Sequence, residues 1–205
     1  MKDKKIRIAV LVSGGGTNLQ ALINAQKKGI LKSGEICAVI SSSESAYALK
    51  RAERAGIFHC AVDRKKLSGE EFEKRILEKL RECGAQIIVL AGFMCILSAD
   101  FIKEYENRII NIHPSLIPSF CGEGFYGLKV HEAALEKGVK VTGATVHFVN
   151  EIPDGGKIIM QKAVRVQPGD TPKTLQKRVM RLAEQKILPA AAEEVCGKLK
   201  KECAK

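Results

Sequence analysis

Asn111, His113 and Asp154 carry the side-chain types that acyl transfer needs. Asn111 and His113 stand two residues apart at the end of an apolar run, and Pro114 ends the predicted strand directly after them. An amide at this place can hydrogen-bond a developing oxyanion, and an imidazole can move a proton. In isolation the pair is more typical of a core histidine beside a structural turn, so other parts of the sequence must decide.

Asp154 belongs to a short loop, Glu151 to Gly156, inside a predicted β-hairpin. An aspartate before two glycines is usually a turn former. If the loop folds back onto His113, its carboxylate would favour the imidazolium ion and raise the pKa of the histidine. The sequence leaves that contact open.

A glycine-rich turn, Ser13 to Asn18, separates the first apolar run from a helical pattern. Glycines allow a ligand to approach the backbone closely, and the N-terminus of a helix offers free N–H groups to a phosphate. The turn lacks the Gly-Lys-Ser/Thr ending of a Walker A loop and does not complete GxGxxG. The alternative is a tight turn in which Thr17 or Asn18 simply caps the helix.

The first half of the chain alternates apolar runs with helical patterns. Strands that are apolar throughout are typical of a parallel sheet covered on both faces. The predicted elements are a strand over Ile8–Val12, a helix from Asn18, a strand over Ile36–Ile40, a helix over Ala46–Ala55, a strand over Cys60–Val62, a helix over Gly69–Cys83 and a strand over Ile87–Leu90.

The second half changes character. Ile109–Ile112 is strand-like, Lys140–Val149 and Lys157–Val166 form a predicted β-hairpin, and Pro172–Leu199 is a predicted terminal helix. We therefore predict an α/β fold of three layers around a mixed, mostly parallel sheet with a Rossmann-like N-terminal half. We expect residues 1–205 to form a single domain.

The composition favours an ordinary globular protein that acts on small molecules. Of the 205 residues, 45% are hydrophobic, and no apolar run reaches the ~18 residues of a membrane span. The net charge of +11 is spread along the chain, and with only 5% aromatic residues it indicates a solvated basic surface rather than a nucleic-acid site. The seven cysteines form no CxxC pair, which argues against a metal site, and the start of the chain lacks a signal peptide, so we expect a cytoplasmic location.

Taken together, the motifs resemble the glycinamide ribonucleotide formyltransferase family over essentially the whole chain. The order and spacing of the matching segments make the resemblance specific, although no single segment would. That family has a mixed sheet with a Rossmann-like first half, the formyltransferase fold. The matching segments are Ser13–Gln20, Leu90–Met94, Asn111–Pro118, Gly143–Val149, Asp154–Gly156 and Leu182–Glu184.

The resemblance implies transfer of the formyl group of 10-formyltetrahydrofolate to the amino group of glycinamide ribonucleotide, in the purine pathway to IMP. Transfer would be direct, through a tetrahedral intermediate, without a metal. Asn111, His113 and Asp154 would be the catalytic residues. The ribonucleotide would be held by Gly16, Thr17, Asn18, Arg181 and Glu184. The folate would be held by Met94, Cys95, Ile96 and Leu97 together with Asn111, Asn150, Glu151 and Asp154.

Three features bear on how closely the chain follows the family. Cys95 stands where the family commonly has arginine, so a contact to the folate tail would be lost or replaced. The segment Ser119–Lys129 is an insertion relative to shorter members and is either a flap over the folate site or an ordinary surface loop. His147 belongs to a matching motif, but on a strand it could serve the structure alone.

Other functions are compatible with parts of the sequence. A formyltetrahydrofolate hydrolase uses the same formyl chemistry, but with water as the acceptor it would not need the phosphate turn. A non-catalytic nucleotide- or RNA-binding module would leave Asn111, His113 and Asp154 without a role. Small-molecule substrates are the expected partners, with neither nucleic acid nor membrane, and the protein is expected to be a monomer or a homodimer.

Overall fold

The structure is a computed structural model that describes residues 5–203. Residues 1–4, on which the expectation about a signal peptide falls, lie outside this range. Seven strands form one sheet in the order β3-β2-β1-β4-β5-β6-β7. They are β1 (Ile6–Val12), β2 (Gly34–Ser41), β3 (Phe58–Ala61), β4 (Ile87–Leu90), β5 (Ile109–His113), β6 (Val141–Phe148) and β7 (Ile158–Arg165).

The helices cover both faces of this sheet. They are α1 (Thr17–Lys27), α2 (Tyr47–Arg54), α3 (Gly69–Glu82), α4 (Ala99–Glu104), α5 (Leu128–Glu136), α6 (Pro172–Val179) and α7 (Gln185–Glu202), with a π-helical turn over Met180–Glu184 between the last two. One hydrophobic layer packs α1, α2 and α7 on the sheet, and a second packs α3 and α4 on the opposite face. The predicted α/β fold is confirmed.

The sheet is parallel from β3 to β5 and antiparallel at its other end, where β6 joins β5 and β7 joins β6. The strand order reverses at β1, whose neighbours are β2 and β4. In such sheets ligands bind beyond the carboxyl ends of the strands where the order reverses. The glycine-rich turn follows β1 and the segment Ala91–Leu97 follows β4, so both begin at this place.

The terminal helix predicted over Pro172–Leu199 lies at the predicted place, but it is not one continuous α-helix. The π-helical turn interrupts it and brings Glu184 into a buried position. Turns of this type occur mostly as short insertions in α-helices, frequently at functional sites. The third strand also begins two residues earlier than the predicted Cys60 and ends at Ala61.

Candidate active site

Asn111 and His113 lie on one face of β5 at its carboxyl end. The strand is held by β4 on one side and by β6 on the other, where Asn111 pairs with His147 and His113 with Thr145. Asn111 is half-buried, whereas His113 is 4% exposed. The alternation of side chains along a strand therefore places an amide and an imidazole together at the end of the sheet.

Asp154 folds back onto these residues, a contact that the sequence left open. Its Oδ2 atom lies 3.3 Å from Nδ1 of His113 and accepts a 2.9 Å hydrogen bond from the backbone N–H of Gly122. The loop can turn this sharply because Gly156 has no side chain. A Cβ atom at Gly156 would lie 1.8 Å from the carbonyl oxygen of Phe148.

Two opposing effects set the pKa of His113. Asp154 raises the pKa, as expected from the sequence, but burial lowers it by more, so that the pKa lies below its ordinary value. The sequence could not show the net direction, because it does not reveal how deeply the ring is buried. The Nε2 atom also lies 2.8 Å from the carbonyl oxygen of Phe120. With an acceptor at each nitrogen, only the imidazolium ion can donate to both.

His147 is part of the same cluster. Its Nδ1 atom lies 2.8 Å from the carbonyl oxygen of Phe148, which assigns the proton to Nδ1 in the neutral ring. Its Nε2 atom can then accept from Nδ2 of Asn111 at 3.2 Å, and it lies 3.4 Å from Oδ1 of Asp154. The motif around His147 was noted in the sequence, but its contact with Asn111 depends on the register of β5 and β6.

The carboxyl group of Asp154 is stabilised in its charged form. Burial raises the pKa, but the close contact with His147, the hydrogen bond from the N–H of Gly122 and the charge of His113 together hold it below the ordinary value. Nδ2 of Asn111 is 3.5 Å from Oδ1, at the long limit of a hydrogen bond. The N–H of Asn111 that faces Asp154 is therefore the one that can most easily donate to a substrate oxygen instead.

The glycine-rich turn is not capped in the way that the sequence allowed. Gly16 is the N-cap of α1 with a left-handed φ of 70°, and no side chain caps the helix. Thr17 is already the first helical residue, so the alternative that Thr17 or Asn18 is the cap was wrong. The first N–H groups of α1 consequently lack a side-chain acceptor from the cap residue.

Asn18 instead binds Glu184, which the π-helical turn presents. Its Nδ2 atom donates to Oε2 of Glu184 at 2.7 Å, and burial raises the pKa of that carboxyl group. The Oδ1 atom of Asn18 is buried and has no hydrogen-bond partner among residues 5–203. Arg181, at the same turn, is exposed, and within that range it makes neither a hydrogen bond nor an ion pair. Polar groups thus remain available beside the glycine-rich turn.

The segment after β4 presents apolar side chains to solvent. Met94 is 62% exposed and Ile96 82% exposed, whereas Cys95 is half-buried and Leu97 packs in the core. Met94 donates its backbone N–H to Oγ of Ser13 at 2.9 Å, which ties this segment to the glycine-rich turn. Asn150 and Glu151, in the loop that carries Asp154, are exposed.

The insertion Ser119–Lys129 lies against the cluster rather than apart from it. The carbonyl of Phe120 faces His113 and the N–H of Gly122 binds Asp154. The rings of Phe120 and Phe125 meet edge to face at 6.4 Å. This contribution of the insertion could not be found from its residue types, because it is made by backbone groups.

Comparison with known proteins places this geometry in a family. A model of the formyl transferase domain matches residues 6–192. The chain belongs to the formyl transferase family. Phosphoribosylglycinamide formyltransferase of Escherichia coli K12 is 40% identical over 175 residues, which cover 85% of this chain and 80% of the relative. Members of a formyl transferase family use a folate-derived formyl donor.

Solved structures support the same assignment of the chain to the formyl transferase family. Glycinamide ribonucleotide transformylase 1 from Symbiobacterium toebii has a TM-score of 0.88 and 40% identity, covering 95% of this chain and 89% of its own. Phosphoribosylglycinamide formyltransferase from Brucella melitensis has a TM-score of 0.86 and 43% identity, with 94% and 96% covered.

A longer relative matches over the same region. The human trifunctional purine biosynthetic protein adenosine-3 is 48% identical over 197 residues, which cover 96% of this chain. The chain spans only 19% of the length of that relative.

Neither a membrane helix nor a metal cluster is seen in residues 5–203 of this chain. No helix in that range is long and apolar enough to cross a membrane. The same range holds no group of three or more histidine, cysteine or acidic side chains placed to bind a metal ion.

Proposed function

We propose that the protein transfers the formyl group of 10-formyltetrahydrofolate to the amino group of glycinamide ribonucleotide, on the purine pathway to IMP. The observation that carries this proposal is the cluster of Asn111, His113 and Asp154 at the end of β5. It offers an amide donor, an imidazole and a charged carboxylate around one point. The names of the relatives supply the formyl acceptor, and the formyl transferase family supports a folate-derived formyl donor.

The cluster suits direct transfer without a covalent intermediate. The substrate amine attacks the formyl carbon, and the formyl oxygen gains negative charge as a tetrahedral intermediate forms. Asn111 and His113 donate hydrogen bonds to that oxygen, which takes the place of the carbonyl of Phe120 as the acceptor at Nε2 of His113. Asp154 stabilises the imidazolium form of His113, which gives its proton to the departing folate nitrogen. The neutral imidazole then takes up the proton that the attacking amine nitrogen loses, so that His113 returns to its starting form.

We assign the ribonucleotide to the glycine-rich turn. The N–H groups of Gly16, Thr17 and Asn18 suit a phosphate, because the helix N-terminus is positive and lacks a side-chain cap. The unpartnered Oδ1 of Asn18 and the carboxyl group of Glu184 can bind sugar hydroxyls. Arg181 lies on the same π-helical turn as Glu184 and adds positive charge.

We assign the folate to the segment Met94–Leu97 and the loop that carries Asp154. A flat ring needs apolar contacts and a few polar groups at its edge. The exposed side chains of Met94 and Ile96 can supply the former. Polar contacts would come from Asn111, Asn150, Glu151 and Asp154, and Cys95 and Leu97 would contribute mainly through the backbone.

The remaining proposals concern the protein as a whole. We infer that residues 1–205 are a single catalytic domain, because one continuous sheet links both halves of the described chain. We further propose a cytoplasmic monomer or homodimer that uses only small molecules as substrates, needs no metal and binds no nucleic acid.

A spectrophotometric assay with a 10-formyl folate tests the proposed function. Loss of the formyl group should require glycinamide ribonucleotide and should disappear in His113→Ala. Deformylation without any acceptor would indicate a hydrolase instead. No deformylation under either condition would contradict formyl transfer and favour a binding module.

A further inference from the structure

Arg51 contacts the glycine-rich turn from α2. Its Nε atom donates to the carbonyl oxygen of Gly15 at 2.8 Å, and its Nη1 atom donates to Oε1 of Gln20 at 3.0 Å. The side chain is half-buried against the turn, since its Cδ atom lies 3.4 Å from the place of a Cβ atom on Gly16. One guanidinium thus links the turn to the first turn of α1.

A second contact from α2 holds the preceding peptide. The backbone N–H of Ala48 donates to the carbonyl oxygen of Gly14 at 3.0 Å. In a trans peptide the C=O and the following N–H point in opposite directions. Because α2 binds the carbonyls of Gly14 and Gly15, the N–H groups of Gly15 and Gly16 are turned away from α2, towards the open side of the turn.

The charge of Arg51 also has no acidic partner. Neither a salt bridge nor a hydrogen bond to a carboxylate is formed by this side chain within residues 5–203. Its other contact is with the ring of Tyr47, whose centroid lies 5.0 Å from the guanidinium carbon. The positive charge therefore stays unneutralised beside the turn that we assign to a phosphate.

We propose that Arg51 is a positioning residue for the phosphate of the substrate. It orients the N–H groups of the turn through the carbonyl of Gly15 and adds a positive charge next to them. This inference rests on the proposed function, because it takes the turn as the phosphate site. It assigns to α2 a role in substrate affinity rather than in the chemical step.

Steady-state kinetics of Arg51→Met separates this role from a structural one. Methionine keeps much of the apolar stem but removes the donors and the charge. We expect KM for glycinamide ribonucleotide to rise at least ~10-fold, as expected for loss of a charged hydrogen-bond donor, with little change in kcat or in KM for the folate. Arg51→Lys should restore part of the affinity, because lysine keeps the charge but lacks the planar guanidinium that donates to both Gly15 and Gln20.

Arg54→Met is the matched control. Arg54 lies one helical turn further on and is exposed, and among the described residues its side-chain hydrogen bond and its cation–π contact are both with Tyr47. This variant should keep both KM values. An Arg51→Met enzyme with unchanged KM for the ribonucleotide, or with the same rise for Arg54→Met, would overturn the proposal.

Direct binding of ribose 5-phosphate keeps the test independent of formyl transfer. Calorimetric titration should show weaker binding to Arg51→Met than to the parent and Arg54→Met proteins, and equal, weak binding of ribose to all three. Equal affinity of ribose 5-phosphate for all three would overturn the role of Arg51. If the parent enzyme lacks formyl transfer but this pattern holds, only the proposed function fails.

Discussion

At the scale of single residues, the carboxylate of Asp154 organises the site. It contacts His113 and His147 with its two oxygens and is held by the N–H of Gly122. His147 in turn accepts from Asn111. Removing the charge of Asp154 would therefore disturb both the protonation of His113 and the orientation of Asn111.

We expect Asp154→Asn and His113→Ala to fold but to be at least ~100-fold slower in kcat. Loss of one oxyanion donor or of its supporting charge typically has an effect of this size. Steady-state rates, with circular dichroism as a check of folding, measure it. His59→Asn is the control, because among residues 5–203 the ring of His59 hydrogen-bonds only with the carbonyl of Ile57. Near-normal turnover in either active-site variant would contradict the assigned roles.

At the scale of the elements, α5 carries a histidine that the reaction does not use. His131 is fully buried, and neither ring nitrogen has a hydrogen-bond partner in the described part of the chain. Burial, with a small contribution from His113, lowers its pKa from 6.5 to about 4. The folded state thus holds this ring neutral, whereas the unfolded chain protonates it below its ordinary pKa.

This difference predicts a loss of stability in acid. Because the unfolded state binds more protons between pH 6.5 and 4, the free energy of unfolding falls as the pH falls through this window. His131 alone should contribute a decrease of about 3 kcal/mol. Urea unfolding of His131→Phe should show a shallower pH dependence than the parent protein or His59→Asn. The same pH dependence in all three would refute the prediction.

The glycines of the turn between β1 and α1 should differ in how well they tolerate a side chain. Gly16 has a φ of 70°, and a Cβ atom there would lie 2.7 Å from the Cβ of Ala48. A Cβ atom at Gly14 would have no heavy atom within 4 Å, and the φ of Gly14 is not positive. Gly16→Ala should therefore raise KM for glycinamide ribonucleotide at least ~10-fold, because the phosphate turn must shift, and Gly14→Ala should have little effect. Equal KM values for the two variants would show that the turn tolerates the shift.

The elements differ in how far the sequence could predict them. The buried parallel strand β4 is apolar throughout and β1 is apolar from Ile8 to Val12, so these apolar runs alone identify the two strands. The helical periodicity predicted α3 to within one residue of its end at Glu82. The π-helical turn was missed, because a helix with one wider turn keeps nearly the same apolar pattern.

The sequence proposes residue types for the candidate site but does not show their geometry. Its residues come from segments far apart in sequence, and only the register of β5 and β6 places His147 opposite Asn111. The N-cap at Gly16 and the lowered pKa of His113 also depend on three-dimensional surroundings. No pattern of neighbouring residues contains that information.

At the scale of the whole molecule, the sheet brings the two assigned substrate sites together. The glycine-rich turn, where we propose the ribonucleotide, follows β1, and the segment Met94–Leu97, where we propose the folate, follows the adjacent β4. The cluster of Asn111 and His113 lies at the end of the next strand, β5. Ser13 links the first two, because its Oγ accepts from the N–H of Met94 and its N–H donates to the carbonyl of Gly92. One edge of a parallel sheet can thus hold the proposed sites of the formyl donor and the formyl acceptor beside the candidate catalytic residues.

The measurement that tests this account most directly follows the formyl carbon itself. The parent enzyme would be incubated with 10-formyltetrahydrofolate labelled with ¹³C in the formyl group and with glycinamide ribonucleotide, and the products read by mass spectrometry. The account predicts that the label appears on the ribonucleotide in equal amount to the folate consumed, and that His113→Ala forms almost none. Label recovered as free formate, or transfer undiminished in His113→Ala, would contradict it.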